Sequence, residues 1–192
     1  LRSENGHICA ASNDALAMAT GEYVALLDHD DLLATHAFLR LIHAISEHPN
    51  GRLFYSDEDK LDQSGQRKSP HFKPEFNPEL LLSQAYMGHL ITVKTDDIRA
   101  VDGFRIGYHG SQDHDLCLRL TERMAATEIV HIPEILYHWR VSETSTALRP
   151  EAKDYTASAA RRAVQDALDR RGMGGTAKPS TTVNHALTYE LP

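Results

Sequence analysis

The chain has 192 residues, of which 41% are hydrophobic and 24% charged, and its formal net charge is -7. That is enough length and apolar content for one α/β domain with a sizeable core. The acidic balance and the lack of a Lys/Arg run exclude a nucleic-acid partner. No apolar run approaches the ~18 residues of a membrane helix, and the opening residues lack a signal-peptide pattern, so the expected location is cytoplasmic. The two cysteines, Cys9 and Cys117, have no metal-type spacing and read as reduced core thiols.

Ile8, Ala11, Ala15, Leu16 and Ala19 recur at helical spacing and predict a helix from Ile8 to Thr20. Gly21 then punctuates the chain, and the unbroken apolar run Tyr23 to Leu27 predicts a strand buried on both faces, as in a parallel sheet. This strand runs straight into Asp28-His29-Asp30-Asp31. Side chains at i and i+2 of an extended segment share one side, so Asp28 and Asp30 face together, away from His29. Aligned carboxylates repel unless a cation sits between them, and hard oxygen donors favour Mg2+ or Mn2+. The competing reading is a helix cap, because acidic residues suit a helix N-terminus. It accounts for Asp31, ahead of a helix predicted from Ala34 to His48 with Phe38, Leu41, Ile42 and Ile45 on its inner face. It leaves the pairing of Asp28 with Asp30 unexplained.

Leu53-Phe54-Tyr55 predicts a second strand that runs into Ser56-Asp57-Glu58-Asp59, either a sugar contact or a solvated acidic turn. Asp62 to Gly65 is a turn. Ser69 to Pro78, with three prolines and two phenylalanines, reads as a long loop. A helical turn over Glu79 to Gln84, a strand over Leu90 to Val93 and a short helix capped by Thr95 follow. The Gly-rich stretch Gly107 to Ser111 leads into a helix opened by Gln112-Asp113-His114-Asp115, with Leu116, Leu120 and Met124 on one face. Asp115 suits the first helical turn and its dipole, a structural role. Glu128 to Ile132 and Ile135 to Val141 read as two strands split by Pro133. Pro150 starts a long helix with the stripe Tyr155, Ala159, Ala163, Val164 and Leu168. Gly174 to Thr182 reads as linker, and Thr188 to Leu191 as a short extended tail.

Taken in order, these motifs resemble family 2 glycosyltransferases of the GT-A fold, nearest to the bacterial polysaccharide and O-antigen branch with its rhamnosyltransferase-like members. The resemblance is carried by Asn5-Gly6, Ala11-Ser12-Asn13, Gly21-Glu22-Tyr23, Asp28-His29-Asp30-Asp31, Tyr55 to Asp59, Gly103-Phe104, Gln112 to Leu116 with Arg119, and Tyr137-His138-Trp139-Arg140. A DxD pair alone is a weak signal; the ordered set is specific and covers about Asn5 to Thr146.

The resemblance implies an α/β fold with a mostly parallel central sheet flanked by helices. It divides the chain into a partial transferase domain over 1–148, a helix packed on it over 149–172 and a linker or tail over 173–192. The implied activity is metal-dependent, inverting transfer of a sugar from a nucleotide-diphosphate donor to a glycan or lipid-linked acceptor in cell-surface polysaccharide synthesis. Peripheral association with the inner face of the membrane would come through the parent protein. By position, Asp30 and Asp28 match the pair that holds Mn2+ or Mg2+, with Asp28 also near the donor's ribose and diphosphate. Asp113 matches the catalytic base, which must lie within hydrogen-bond reach of the acceptor hydroxyl; its competing reading is a helix cap. Asn13 and Arg140 fall at donor-binding positions, and Arg140 suits a phosphate or an acidic partner equally. His138 stands where many relatives complete the metal shell; a strand histidine packed beside Trp139 is the equal alternative.

Members of the family begin with an apolar strand and a base-binding aspartate ahead of a helix like the one at Ile8, so a longer parent protein is expected, and donor binding and turnover by this piece alone are left open. A haloacid-dehalogenase type phosphohydrolase also places DxD after an apolar strand, but follows it with Thr or Val where this chain has Leu32. A truncated transferase that binds a sugar or partner without catalysis is the alternative function.

Overall fold

The computed structural model describes residues 5–141, 150–180 and 185–189. Thr146, Thr182 and Leu191, at the edges of the expected motif span, linker and tail, lie outside the described residues, as does the side chain of Tyr155. The first helix, α1 (His7–Met18), leads to strand β1 (Tyr23–Leu26), the acidic turn, a short β2 (Leu32–Leu33) and α2 (Ala37–Glu47). A long β3 (Leu53–Leu61) folds back on β4 (Arg67–His71), and α3 (Pro78–Ser83), β5 (Ile91–Lys94) and α4 (Thr95–Ala100) follow. The second half holds α5 (Gln112–Thr121), β6 (Ile129–Arg140), α6 (Pro150–Arg170) and the hairpin β7 (Gly175–Lys178) and β8 (Ala186–Tyr189).

The central sheet has the order β1-β5-β3-β6-β2, with β4 extending the edge of β3 beyond β5. It is mixed rather than mostly parallel. β1, β3 and β6 share one direction, which is the parallel sense of the β1-α2-β3 crossover. However, β5 inserts antiparallel between β1 and β3, and β2 and β4 are antiparallel additions. Short β-β connections such as β3-β4 impose antiparallel pairing.

Alternation along β3 divides the core. Leu53 and Tyr55 point into a cluster with Ile91, Val93, Leu116, Leu118, Val164 and Leu168 under α5 and α6, while Phe54 points to Leu41, Val130 and Leu136 under α2. Several expectations shift. Strand β1 is half-buried throughout rather than buried on both faces, because it is the last strand on its side and Val24, Ala25 and Leu26 open onto a cleft. The inner face of α2 is Ala37, Leu41 and Ala44, leaving Phe38 58% and Ile42 64% exposed. The two strands expected around Pro133 are one strand, β6, whose register against β3 jumps from Ser56↔Ile132 to Asp57↔Ile135. Proline, with no N–H to donate, is accommodated at that bulge. The expected linker is the hairpin β7-β8, and Thr95 does not cap α4 but donates its hydroxyl to the Gly21 carbonyl at 2.6 Å.

Candidate active site

The acidic turn after β1 is pinned onto β6. Tyr137 donates its hydroxyl to Asp31 Oδ2 at 2.5 Å and accepts the Asp28 N–H at 3.3 Å. Arg140 donates its backbone N–H to Asp31 Oδ1 and its Nε–H to the Asp30 carbonyl, each at 2.8 Å. Asp31 is therefore a buried anchor, 8% exposed, and not a helix cap; α2 begins six residues later with no side-chain cap. Arg140, expected at the donor, thus also holds the backbone of this turn.

Beside the turn lies a cleft of about 680 Å³. Its walls are the α1 face Ile8, Ser12, Ala15, Leu16 and Ala19, the end of β1 with Asp28, the Gly88-His89 turn, Trp139, and the mouth of α5 with Gln112 and Asp113. Ile8, Ala15, Leu16 and Ala19, whose spacing predicted the helix, thus line an open site, while Cys9 and Ala10 enter the core. Both cysteines are free and buried. Asp113 sits inside the first turn of α5, one of whose oxygens accepts the His114 N–H at 2.8 Å, and it is not the N-cap, which is Ser111. Two of the expected carboxylates, Asp28 and Asp113, therefore share one cleft; Asp30 is on the adjoining turn with its side chain half-exposed.

Burial pushes the Asp28 carboxyl above its ordinary range; the His89 charge opposes this, and the charges of Asp31, Asp113 and Asp30 reinforce it. Negative charge is thus crowded here. His89 was marked by no motif, yet its Nε2 stands 3.7 Å from Asp28 Oδ2 and its ring stacks on Tyr137 at 4.5 Å. Burial alone would lower the His89 imidazole, but the Glu58 contact and the charges of Glu58, Asp113 and Asp28 raise it.

The acidic stretch Ser56 to Asp59 is neither a solvated turn nor open to the cleft; it lies within β3, and every carboxylate has a partner. Asp57 accepts the Lys73 N–H at 2.9 Å and meets His131 Nε2 at 2.8 Å. Glu58 accepts the His89 N–H at 2.7 Å and the Lys73 ammonium at 3.2 Å. Asp59 meets His138 Nδ1 at 2.6 Å and Arg67 Nε at 2.5 Å. His138, expected as a metal ligand, is thus tied to Asp59. Alternation along β6 sends Tyr137 and Trp139 to the cleft side and His138 away from it.

Burial would raise the Glu58 carboxyl, but His89 and Lys73 outweigh it and lower the group from 4.5 to about 2. A carboxyl whose folded value lies below its unfolded one stabilises the fold above the unfolded value and loses that contribution as pH falls through the folded one. Urea unfolding should therefore show roughly 3 kcal/mol of stability disappearing as pH falls from 4.5 to about 2, a loss that Glu58→Gln should flatten.

Asn13, expected at the donor, clamps the loop after α4. Its Nδ2 donates to the Phe104 carbonyl and its Oδ1 accepts the Phe104 N–H, both at 2.8 Å. Gly103 permits this approach, since its φ is +64° and a Cβ there would meet Asn13 Oδ1 at 2.5 Å. Asn13→Ala should cost about 2 kcal/mol by leaving two part-buried backbone groups unpaired, which thermal denaturation would report. Asp115 is structural as expected, though its partners are Arg105 and Arg119 rather than the helix dipole alone.

A curled α/β sheet whose first strand ends in carboxylates, facing a further carboxylate at a helix mouth, is the frame of a GT-A transferase. The fold agrees: the chain superposes on the crystal structure of S. aureus TarS 1-349 with a TM-score of 0.58 at 13% identity, covering 88% of this chain and 55% of that one. The chain belongs to the family described as Glycosyl transferase family 2, whose profile matches residues 1–99. It is 35% identical over 189 residues to the O-antigen biosynthesis protein RfbC of Myxococcus xanthus, covering 98% of this chain and 15% of that protein. It is 43% identical over 169 residues to the uncharacterized protein y4gI of Sinorhizobium fredii (strain NBRC 101917 / NGR234), covering 88% and 19%. The chain thus spans less than a fifth of the length of these relatives. Among the described residues no helix is long and apolar enough to cross a membrane.

Proposed function

We propose that this domain transfers a sugar from a nucleotide-diphosphate donor to a hydroxyl of a glycan or lipid-linked acceptor, with inversion, in cell-surface polysaccharide synthesis. The observation that carries the reading is the joint presence of Asp28 and Asp113 in one cleft. Family membership and the similarity to an O-antigen biosynthesis protein support the reaction class. In this reading Asp113 takes the proton of the acceptor hydroxyl as the hydroxyl attacks the anomeric carbon. Attack from the side opposite the leaving diphosphate inverts that carbon.

A divalent cation fits the residues present. Among the described residues no three His, Cys, Asp or Glu side chains converge as a closed metal site. Asp28 and Asp30 nevertheless offer carboxylate oxygens, and their side chains are 51% and 50% exposed. Open, oxygen-only sites suit Mg2+ or Mn2+, which keep several waters and take phosphate oxygens. When bound, the ion would supply positive charge to offset that gathering on the leaving diphosphate. The chain's own part is to hold the turn: Tyr137 and Arg140 fix the backbone from which both carboxylates project.

The test is a nucleotide-sugar screen on the full parent protein with Mn2+, read by thermal shift and by product formation. A stabilising nucleotide sugar that also turns over is expected, with Mn2+-dependent stabilisation lost in Asp30→Asn. Absence of turnover with every donor would sink the reading, and no effect of Asp30→Asn on Mn2+-dependent binding would remove the cation from it.

A further inference from the structure

The cleft floor is arranged around a residue that no motif singled out. His89 occupies the turn ahead of β5. Its amide donates to Glu58 Oε2 at 2.7 Å, and its carbonyl accepts the Lys73 ammonium at 2.5 Å. The same ammonium reaches Glu58 Oε2 at 3.2 Å and the Met87 carbonyl at 2.6 Å, and the Lys73 side chain has no exposed surface. The His89 ring is held on one face by Tyr137, at 4.5 Å and 20° between planes, and its Nδ1 stands 3.4 Å from Glu58 Oε2. What remains is Nε2, turned toward Asp28 at 3.7 Å.

Packing alone does not call for this arrangement. Burying a lysine–glutamate pair carries a desolvation cost of several kcal/mol, and apolar side chains of the same volume would fill the space at least as well. The pair fixes both backbone polar groups of His89, and the stacked Tyr137 holds its ring, so the imidazole is placed before any ligand arrives. Gly88 supports the same conclusion. Its φ is +47° and a Cβ there would meet Glu58 Oε2 at 2.6 Å, so only glycine lets the turn come this close to Glu58.

We propose that His89 is a positioning residue for the transfer reaction, setting where the Asp28 carboxylate stands through a relay that runs from Lys73 through Glu58 to the imidazole. The inference rests on the glycosyl-transfer reading above. Asp28 is then held from two sides: Tyr137 receives its backbone N–H and His89 faces its carboxylate. Lys73 and Glu58 act behind the cleft wall, and their contribution reaches the reaction through His89.

The test compares wild type, His89→Ala, His89→Gln and Glu58→Gln in the full parent protein, with donor kinetics, melting temperature and a crystal structure of His89→Ala. Expected are a kcat lowered about 10- to 100-fold in His89→Ala with donor KM changed less than about 3-fold, and partial recovery in His89→Gln. Glu58→Gln should lower kcat in the same direction, and the crystal structure should show the Asp28 carboxylate displaced. If His89→Ala fails to fold, His89→Gln carries the kinetic comparison, with kcat below wild type expected. Wild-type kcat and KM in both His89 variants, or Asp28 unmoved in the crystal, overturns the inference while leaving the transferase reading intact. Equal loss in both variants with a lowered melting temperature overturns it in favour of a purely structural role. A wild-type protein without turnover on any nucleotide sugar overturns the transferase reading itself, and the inference with it.

Discussion

Replacing Asp115 by asparagine should destabilise the domain by about 3–5 kcal/mol, among the largest effects of any single substitution in it. The carboxylate has no exposed surface and holds two guanidinium groups. Arg105 Nε lies 3.1 Å from both of its oxygens, and Arg119 Nε donates to Oδ2 at 2.9 Å. Each arginine then ties down another part of the chain. Arg119 reaches the carbonyls of Val101 at 2.5 Å and Gly103 at 2.7 Å, and Arg105 reaches Asp166 on α6 at 2.7 Å. Asparagine would keep the shape and remove the charge, leaving Arg119, itself 8% exposed, as a buried cation without its counter-charge. For a domain of this length the loss corresponds to a melting temperature lower by roughly 10 °C or more, measurable by differential scanning calorimetry. Asp166→Asn should cost about 1 kcal/mol, because that carboxylate is a third exposed and its pairing is partly solvated. Equal losses at the two positions would show that burial of Asp115 is not the cause.

This network also shows where a sequence stops being readable. Asp28, Asp30 and Asp113 are visible because each stands at a local junction, an apolar strand ending in acids or a glycine-rich loop opening a helix. Asp115 could be placed in a helix, but its partners come from the preceding loop, the next turn and, through Arg105, α6. His89 and Lys73 were missed for the same reason, and Glu58, marked as part of an acidic strand end, was not matched to either. His89 meets Glu58 across 31 positions, Lys73 meets Glu58 across 15, and nothing within either local segment marks the pairing. Asn13 and Arg140 stand at motif positions, which says that a residue matters without saying what it touches; both bind backbone. His138 was more accessible to reasoning. Period-two alternation from Tyr137 and Trp139 sends it to the opposite side of β6, and the registry with Asp59 across the parallel β3-β6 pair supplies its partner. The direction of β5 was beyond reach, because it is fixed by its neighbours in the sheet and not by its own residues.

Two positions before Asp115 on the same helix, the opposite behaviour is expected. Asp113→Asn should lower kcat about 10²- to 10⁴-fold, equivalent to about 3–5 kcal/mol of barrier, while leaving the melting temperature within about 2 °C of wild type. The contrast follows from their surroundings. Asp113 lines the cleft and has one short-range hydrogen bond, from the His114 N–H at 2.8 Å, which the amide oxygen of asparagine can still accept. The substitution therefore preserves local shape and removes a group that can take a proton from an acceptor hydroxyl. It also removes one of the negative charges that push the Asp28 carboxyl up, so Asp28 should ionise at lower pH in the variant and binding of a nucleotide donor should be retained. The pairing of lost turnover with retained binding is what separates a base from a residue that merely shapes the cleft. Transfer rates on the full parent protein, alongside thermal shift with a nucleoside diphosphate and Mn2+, would report both quantities. Turnover at the wild-type rate in Asp113→Asn would remove this residue from the reaction and leave the shared cleft of Asp28 and Asp113 as a binding feature only.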